Sequence, residues 1–310
     1  MSSEPTAAWS PVEQEWLLRV PGRRNLAAQA DTYNGAVSSP ECPFCPAVGG
    51  TPASITARLV PSKHPMTPAA AHGPGGAEPL HWVIVYGRSH AHRLGDLPAE
   101  ITLRFLELTA RKTTELFRNS SVKAVFAFES VGDHFGPTVA HPHGQLVGLP
   151  FVPRRLTLGA ERRRCVACAE IDRPDLDVVV TGHARLWAPP WARLPFEMVI
   201  TPTEHRPDLA SLSPAEMTST AGLLHTGLRL CRLTYGGKTP PYLINVMQAP
   251  KGDISHHLRI ELVPLHKDAD TLKRPGGMEL GLGVYLNPLP PEAAARILRE
   301  ALAEVREDVA

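Results

Sequence analysis

An excess of charge of either sign is missing from this chain. Over 310 residues, 32 Lys and Arg nearly cancel 31 Asp and Glu. Nothing in that balance points to a polyanion-binding surface or a disordered acidic tail. Long apolar runs are missing as well. None approaches the ~18 residues needed to span a bilayer. The start, MSSEPTAAWSPVEQEW, has no basic stretch followed by an apolar one and does not read as a secretory signal. These absences point to a cytoplasmic protein that associates with neither membrane nor nucleic acid. Cysteine is sparse: Cys42, Cys45, Cys165, Cys168 and Cys231. Four of them form two C-x-x-C pairs. In a reducing compartment such pairs hold metal or do redox chemistry more often than they form disulfides. Proline (32) and glycine (24) are plentiful and imply long ordered loops between short elements. With 43% apolar residues, the chain can bury a sizeable core as one large domain or two ordinary ones.

The hydrophobic pattern repeats along the chain. Residues 1–40 read as irregular and polar, and 66–79 as a Pro/Gly/Ala loop. Strands are expected at ITARLVP, at HWVIVYGRSH (81–90), at VKAVFAFES (122–130) and at HPHGQLVGLP (141–150), with a helix over 98–118. The second half gives the same order. ARLWAPP (184–190) and FEMVITPTEH (196–205) read as strands, then 213–234 as a helix, then PYLINVMQ (241–248) and HLRIELVP (257–264) as strands. Ser213, with Glu216 three residues on, forms a capping box for the second helix. The interval from His90 to His141 matches that from His205 to His257 within one residue, and each half opens on C-x-x-C. This is a tandem duplication with its junction near 151–164. The halves are assigned as 1–155 and 156–310.

HPHGQ (141–145) on a strand sets His141, His143 and Gln145 on one face, since side chains alternate with period two. Three polar residues there are poor core material. The preceding loop, SVGDHFGPTVA, contains Gly132, Gly136 and Thr138, suited to a turn that cradles phosphate with backbone N–H groups.

On HPHGQ and the blocks VIVYGRSH, PFEMVITPTEH, HHLRIELVP and GLGVYLNPLPPEAAARIL, the chain resembles the galactose-1-phosphate uridylyltransferase family of the histidine-triad superfamily. The resemblance implies an α+β fold: a tandem pair of histidine-triad-like halves with a largely antiparallel sheet and flanking helices. It implies ping-pong transfer of a nucleoside monophosphate, UMP in the family, between a nucleotide sugar and a sugar 1-phosphate. His143 would be the covalent nucleophile, and Gln145 would donate its amide N–H to the phosphoryl oxygens. Substrate contacts are expected from Arg23, Glu129, Ser130, Gly136 and Thr138. Family members are often dimers, so a homodimer is an open alternative. A neutral imidazole suits the nucleophile's role near pH 7. A sugar phosphate leaves without a third His to protonate it, so Gln at that place favours transfer over hydrolysis.

Cys42, Cys45, His90 and His141 make a Cys2His2 set, the tetrahedral arrangement that zinc prefers. His92 competes with His90 on sequence alone. The repeat generates a second set, Cys165, Cys168, His205 and His257, with His256 as the competitor. With all four positions filled, each zinc would be structural, giving one or two per chain. Arg259 and Glu261 stand where His143 and Gln145 stand in the first half, so the second half should lack a nucleophile. Met247 replaces an expected ligand of a further family metal site, which is therefore not predicted. Met278, Leu280, Gly281 and Leu282 replace sugar-contacting groups of the family, which predicts broad or shifted sugar selectivity. Two other functions fit the same residues. One is a nucleotide-sugar or dinucleotide phosphorylase that uses inorganic phosphate. The other is a non-catalytic, zinc-stabilised nucleotide-binding protein. A zinc-finger nucleic-acid binder fits worse, because the spacings from Cys45 to His90 and from Cys168 to His205 far exceed those of a finger.

Overall fold

A computed structural model of the chain describes residues 4–12, 14–21, 42–45, 57–67, 79–88, 90, 92–132, 139, 141–157, 165–170 and 173–307. The first two strands, β1 (Thr6–Ser10) and β2 (Glu15–Arg19), form a separate hairpin. The irregular reading of residues 1–40 is therefore corrected for this stretch. Its polar composition hides a pairing held by Trp9 edge-on to Trp16, and Trp16 stacks on Phe151 at 4.6 Å.

Among the described residues, nine further strands make one antiparallel sheet. They are β3 (Ala57–Pro61), β4 (His81–Tyr86), β5 (Ala124–Val131), β6 (His143–Leu149), β7 (Asp177–Val180), β8 (Ala184–Trp187), β9 (Met198–Pro202), β10 (Tyr242–Met247) and β11 (Arg259–Pro264). The helices are α1 (Ala99–Leu116), two single turns α2 (Arg154–Thr157) and α3 (Val166–Ala169), α4 (Pro214–Leu233), α5 (Gly277–Leu282) and α6 (Pro291–Glu307). Strand order across the sheet is β3-β4-β6-β5-β10-β11-β9-β8-β7.

That order carries the duplication. Outward from the centre it runs β5, β6, β4, β3 one way and β10, β11, β9, β8 the other. Along the chain, each half is strand, strand, helix, strand, strand, with α1 and α4 as the equivalent helices. The halves meet where β5 pairs with β10, Val131 opposite Tyr242 and Ala127 opposite Val246. The fold is thus the expected α+β pair of matching halves. β7 and α6 are additions the sequence pattern did not isolate. The strands read through to His90 and His205 stop short, at Tyr86 and Pro202, so each His lies in the loop beyond its strand.

One sheet face is apolar. Leu146, Ala127, Ile244 and Ile260 are fully buried there under α1 and α4. Each large aliphatic side chain so buried contributes roughly 1.5–3 kcal/mol. Ser213 caps α4 as its sequence suggests: its Oγ accepts from Glu216 N–H (3.3 Å), and Glu216 accepts from Ser213 N–H (2.8 Å). The opposite face is covered in part by a smaller cluster around Phe151, Leu156 and Met247, and is open at Ser130, His143 and Gln145, which are only half-buried. No helix among the described residues is long and apolar enough to cross a membrane.

Candidate active site

His143 and Gln145 lie on the open face of β6, while Gly144 and Leu146 between and beside them face the helices. The glycine is there for packing. A Cβ at Gly144 would lie 2.6 Å from Cε2 of Phe105 on α1. Only a residue without a side chain lets the helix rest this close to the strand that carries the motif.

His143 is fixed by its own backbone. Its Nδ1–H donates to the carbonyl oxygen of His141 at 2.8 Å. The other nitrogen, Nε2, then keeps its lone pair. Burial pulls the His143 pKa below the ordinary histidine range, with the bond to His141 opposing the shift. The ring is thereby held neutral, the form that can attack. Phe44, between the first two cysteines, lies with its ring 5.3 Å from that of His143 and forms an apolar wall. Gln145 is oriented from β4, where His81 donates Nε2–H to its Oε1 at 3.0 Å. Sequence reading missed both Phe44 and His81. Phe44 was recoverable from its place inside C-P-F-C; His81 meets Gln145 only through strand pairing.

The expected substrate contacts divide. Ser130 is half-buried on the open face, on the strand next to His143. Glu129 is a correction. Its register partners are Gly144 and Ile244, so its side chain turns to the helix side, 1% exposed, near the Tyr242 hydroxyl. Burial there raises its pKa to about 7, and it does not reach the His143 face. Arg23, Gly136 and Thr138 lie outside the described residues.

The matching place in the second half is an ion cluster. Gln145, Phe128, Asn245 and Glu261 form one row across four adjacent strands, so Glu261 lies three strand spacings, about 14 Å, from Gln145. Glu261 is buried and accepts from Arg155 (2.9 Å), Arg193 (3.2 Å) and Arg259 (3.2 Å). Burial pushes its pKa up, but the three guanidinium groups outweigh that and hold it below the usual carboxylate range. Arg193 also binds Glu197 at 2.7 Å. No histidine occupies the position equivalent to His143. Met247 sits in a small apolar cluster with Phe151 and Leu156.

Two Cys/His groups come together, each with one ligand atom per residue and all such atoms within 4.8 Å of one another. In the first, Cys45 Sγ lies 3.3 Å from His90 Nε2 and 3.6 Å from His141 Nδ1, with Cys42 completing the set. In the second, Cys168 Sγ lies 3.5 Å from His205 Nδ1 and 3.4 Å from His257 Nδ1, and Cys165 Sγ lies 3.4 Å from His257 Nδ1. A tetrahedral ion with sulfur and nitrogen bonds of about 2.3 and 2.1 Å has S···N edges of about 3.6 Å. The donor sets therefore fit such an ion. In the second set the outer nitrogens are tied down: His205 Nε2 donates to the Ile254 carbonyl (3.0 Å) and His257 Nε2 to that of Pro202 (3.1 Å). This fixes the tautomers and turns Nδ1 to the centre. His90 rather than His92, and His257 rather than His256, take part. His256 instead meets the Met247 carbonyl. Burial lowers the His141 and His257 pKa values to about 4, keeping both rings in the neutral form that ligates.

The segment 274–283 contains α5 and leaves Leu280 and Leu282 well exposed. It is tied to the second half, where Asn287 just beyond it donates to the Ala192 carbonyl at 3.1 Å.

No family model matches the chain. It is 29% identical to the galactose-1-phosphate uridylyltransferase of Thermotoga maritima over 96% of its own length and 98% of the relative. It is 25% identical to the ADP-glucose phosphorylase of Arabidopsis thaliana, over 71% of this chain and 64% of that one. A solved uridylyltransferase structure superposes with a TM-score of 0.79 at 24% identity, covering 96% of this chain and 99% of that one, and so shares the fold. From end to end, in sequence and in fold, the chain resembles the galactose-1-phosphate uridylyltransferase family.

Proposed function

We propose that the chain transfers a nucleoside monophosphate, UMP, from a nucleotide sugar to a hexose 1-phosphate by way of a covalent adduct on His143. The observation that carries this reading is the Nδ1–H bond of His143 to the His141 carbonyl, with Gln145 beside it on the open face. In the first step, His143 Nε2 attacks the α-phosphorus and a P–N bond forms. The bond from phosphorus to the bridging oxygen breaks, and the sugar phosphate leaves with the electron pair. Positive charge then develops on the ring, where the His141 carbonyl receives it through Nδ1–H. Gln145 donates to the phosphoryl oxygens as their charge grows. The second step reverses the first with a new acceptor. Ser130 adds a hydroxyl donor, and Arg23, Gly136 and Thr138 are assigned further phosphate and nucleotide contacts. In this reading residues 1–155 carry the chemistry, and residues 156–310 support it without a nucleophile. Zinc fills both Cys2His2 sets and acts structurally. His141 is a ligand of the first set as well as the acceptor for His143, so the ion braces the backbone that positions the nucleophile. The protein is placed in the cytoplasm, with the homodimer as its open assembly state.

The test is intact-mass spectrometry after incubation with a panel of nucleotide sugars. Wild-type protein gains one nucleoside monophosphate, and a folded His143→Gly variant gains none. An adduct of the same mass on that variant would overturn the assignment. The phosphorylase reading gains weight from the likeness to the Arabidopsis enzyme. It shares the first step, so acceptor competition decides. Release of the adduct by inorganic phosphate in preference to hexose 1-phosphates would establish it. With apolar residues at 278, 280 and 282, discrimination among hexose 1-phosphates is expected to be weak. A preference for galactose 1-phosphate above about a hundredfold would refute that.

A further inference from the structure

We infer that His81 is a positioning residue that decides which end of the Gln145 amide faces the reacting phosphoryl group, an inference that rests on the function proposed above. A primary amide has two ends of nearly the same shape and opposite chemistry. Its NH2 end stabilises charge on a phosphoryl oxygen, and its carbonyl end repels it. His81 meets the carbonyl end: Nε2 lies 3.0 Å from Gln145 Oε1. A carbonyl oxygen only accepts, so Nε2 carries the proton. With Oε1 held in this way, the NH2 end is the one left for substrate. His81 is itself buried at the start of β4, on the same face as Gln145 and diagonal to it, since Val83 is the residue directly opposite. A ring so placed cannot swing away without breaking its packing.

The duplication supplies an internal comparison. In the second half Val199 stands opposite Glu261 as Val83 stands opposite Gln145. Two residues before Val199 is Glu197, which therefore occupies the place of His81. There the two positions hold carboxylates, which cannot bond each other, and Arg193 bridges them at 2.7 and 3.2 Å. So in both halves this diagonal pair interacts. The catalytic half has matched a donor to an acceptor directly, without a bridging side chain between the two.

The experiment measures the single-turnover rate of adduct formation with UDP-glucose and with ADP-glucose, using whichever labels the wild type. Variants are His81→Leu, His81→Gln, Gln145→Ala and the double His81→Leu/Gln145→Ala, each checked for folding by thermal melt. His81→Leu should slow the saturated rate roughly tenfold, and no more than Gln145→Ala does, with half-saturation little changed. His81→Gln, whose amide nitrogen falls near the place of Nε2, should recover most of the rate. In the Gln145→Ala background His81→Leu should have no further effect, because the residue through which it acts is gone. Equal slowing in both backgrounds, an unchanged rate in His81→Leu, or a folded His81→Gln as slow as His81→Leu would each overturn the inference while leaving the proposed function standing. Should His81→Leu not fold, His81→Asn replaces it, since its shorter amide cannot reach Oε1. A wild type that forms no adduct with either donor would overturn both.

Discussion

Gly144 offers a direct test of how the motif is built. Placed between the two chemical side chains, it faces α1. Its replacement by Ala would set a methyl group 2.6 Å from Phe105 Cε2 and 3.4 Å from Cζ. The Phe105 ring has nowhere to go. It is fully buried and packs edge-on against Tyr86 at 6.1 Å. The helix or the strand must therefore shift. Overpacking by one methyl in a tight core costs about 1–3 kcal/mol. Gly144→Ala should lower the urea midpoint accordingly with the slope unchanged, and should slow adduct formation because β6 carries His143. Phe105→Leu makes room on the facing side. Alone it should destabilise by about 1–2 kcal/mol, but with Gly144→Ala the combined loss should fall short of the sum by about 1 kcal/mol or more. Gly222 is the control of opposite sign. It is exposed on α4 with nothing within 4 Å of an added Cβ, so Gly222→Ala should stabilise by up to about 1 kcal/mol through helix propensity. If Gly144→Ala kept the wild-type midpoint yet abolished the adduct, the glycine would be serving the chemistry and not the packing. If Phe105→Leu gave no relief, the clash would lie elsewhere.

Three other outcomes are expected. Freshly purified protein should contain close to two zinc ions per chain, with Cys45→Ser and Cys168→Ser each removing about one; a wild-type ratio near one would eliminate one set and near zero both. Glu129 has a folded pKa of about 7 against an ordinary value of 4.5, so it stays protonated when folded and ionises when unfolded, and its burden on stability grows as pH rises between those values. Glu129→Gln should therefore stabilise the chain by up to about 3 kcal/mol at pH 8, falling to about 1 kcal/mol at pH 5; thermal melts at the two pH values check this, and an equal effect at both would refute it. Glu261→Ala leaves Arg155, Arg193 and Arg259 without their shared partner, and should destabilise by about 3–5 kcal/mol. A urea-midpoint loss worth less than about 1 kcal/mol would show that the cluster is effectively solvated.

Much of this was legible in the sequence, because its signals are short-range or periodic. The capping box at Ser213 needs only four residues, and the duplication is written in matched intervals between His and Cys. Both metal sets follow from that repeat. Glu129 was misplaced although strand alternation contains the answer: Phe128 and Ser130 share one face, so Glu129 takes the other. The His81–Gln145 bond depends on which strands pair and in what register, and 64 residues separate the partners. The β5–β10 seam was equally hidden. Two matching halves can be joined along several edges, and nothing local in AVFAFESV names PYLINV as its neighbour. The hairpin β1–β2 was missed because few of its side chains are buried, leaving no strong alternation to read.

That seam has a consequence for how the protein is made. Until β10 emerges, the first half has β5 as an open edge: eight residues, largely apolar, with unpaired backbone groups along one side. More than a hundred residues separate β5 from its partner. At ~5–20 residues per second, the ribosome leaves that edge bare for roughly 5–25 s. A long apolar edge is a template for pairing with another chain. Neighbouring nascent copies on one message would offer each other β5 strands before either has its own β10. Yield should then depend on the rate of translation through residues 132–247, and on the chaperones that meet the chain there, more than on the stability of the finished fold.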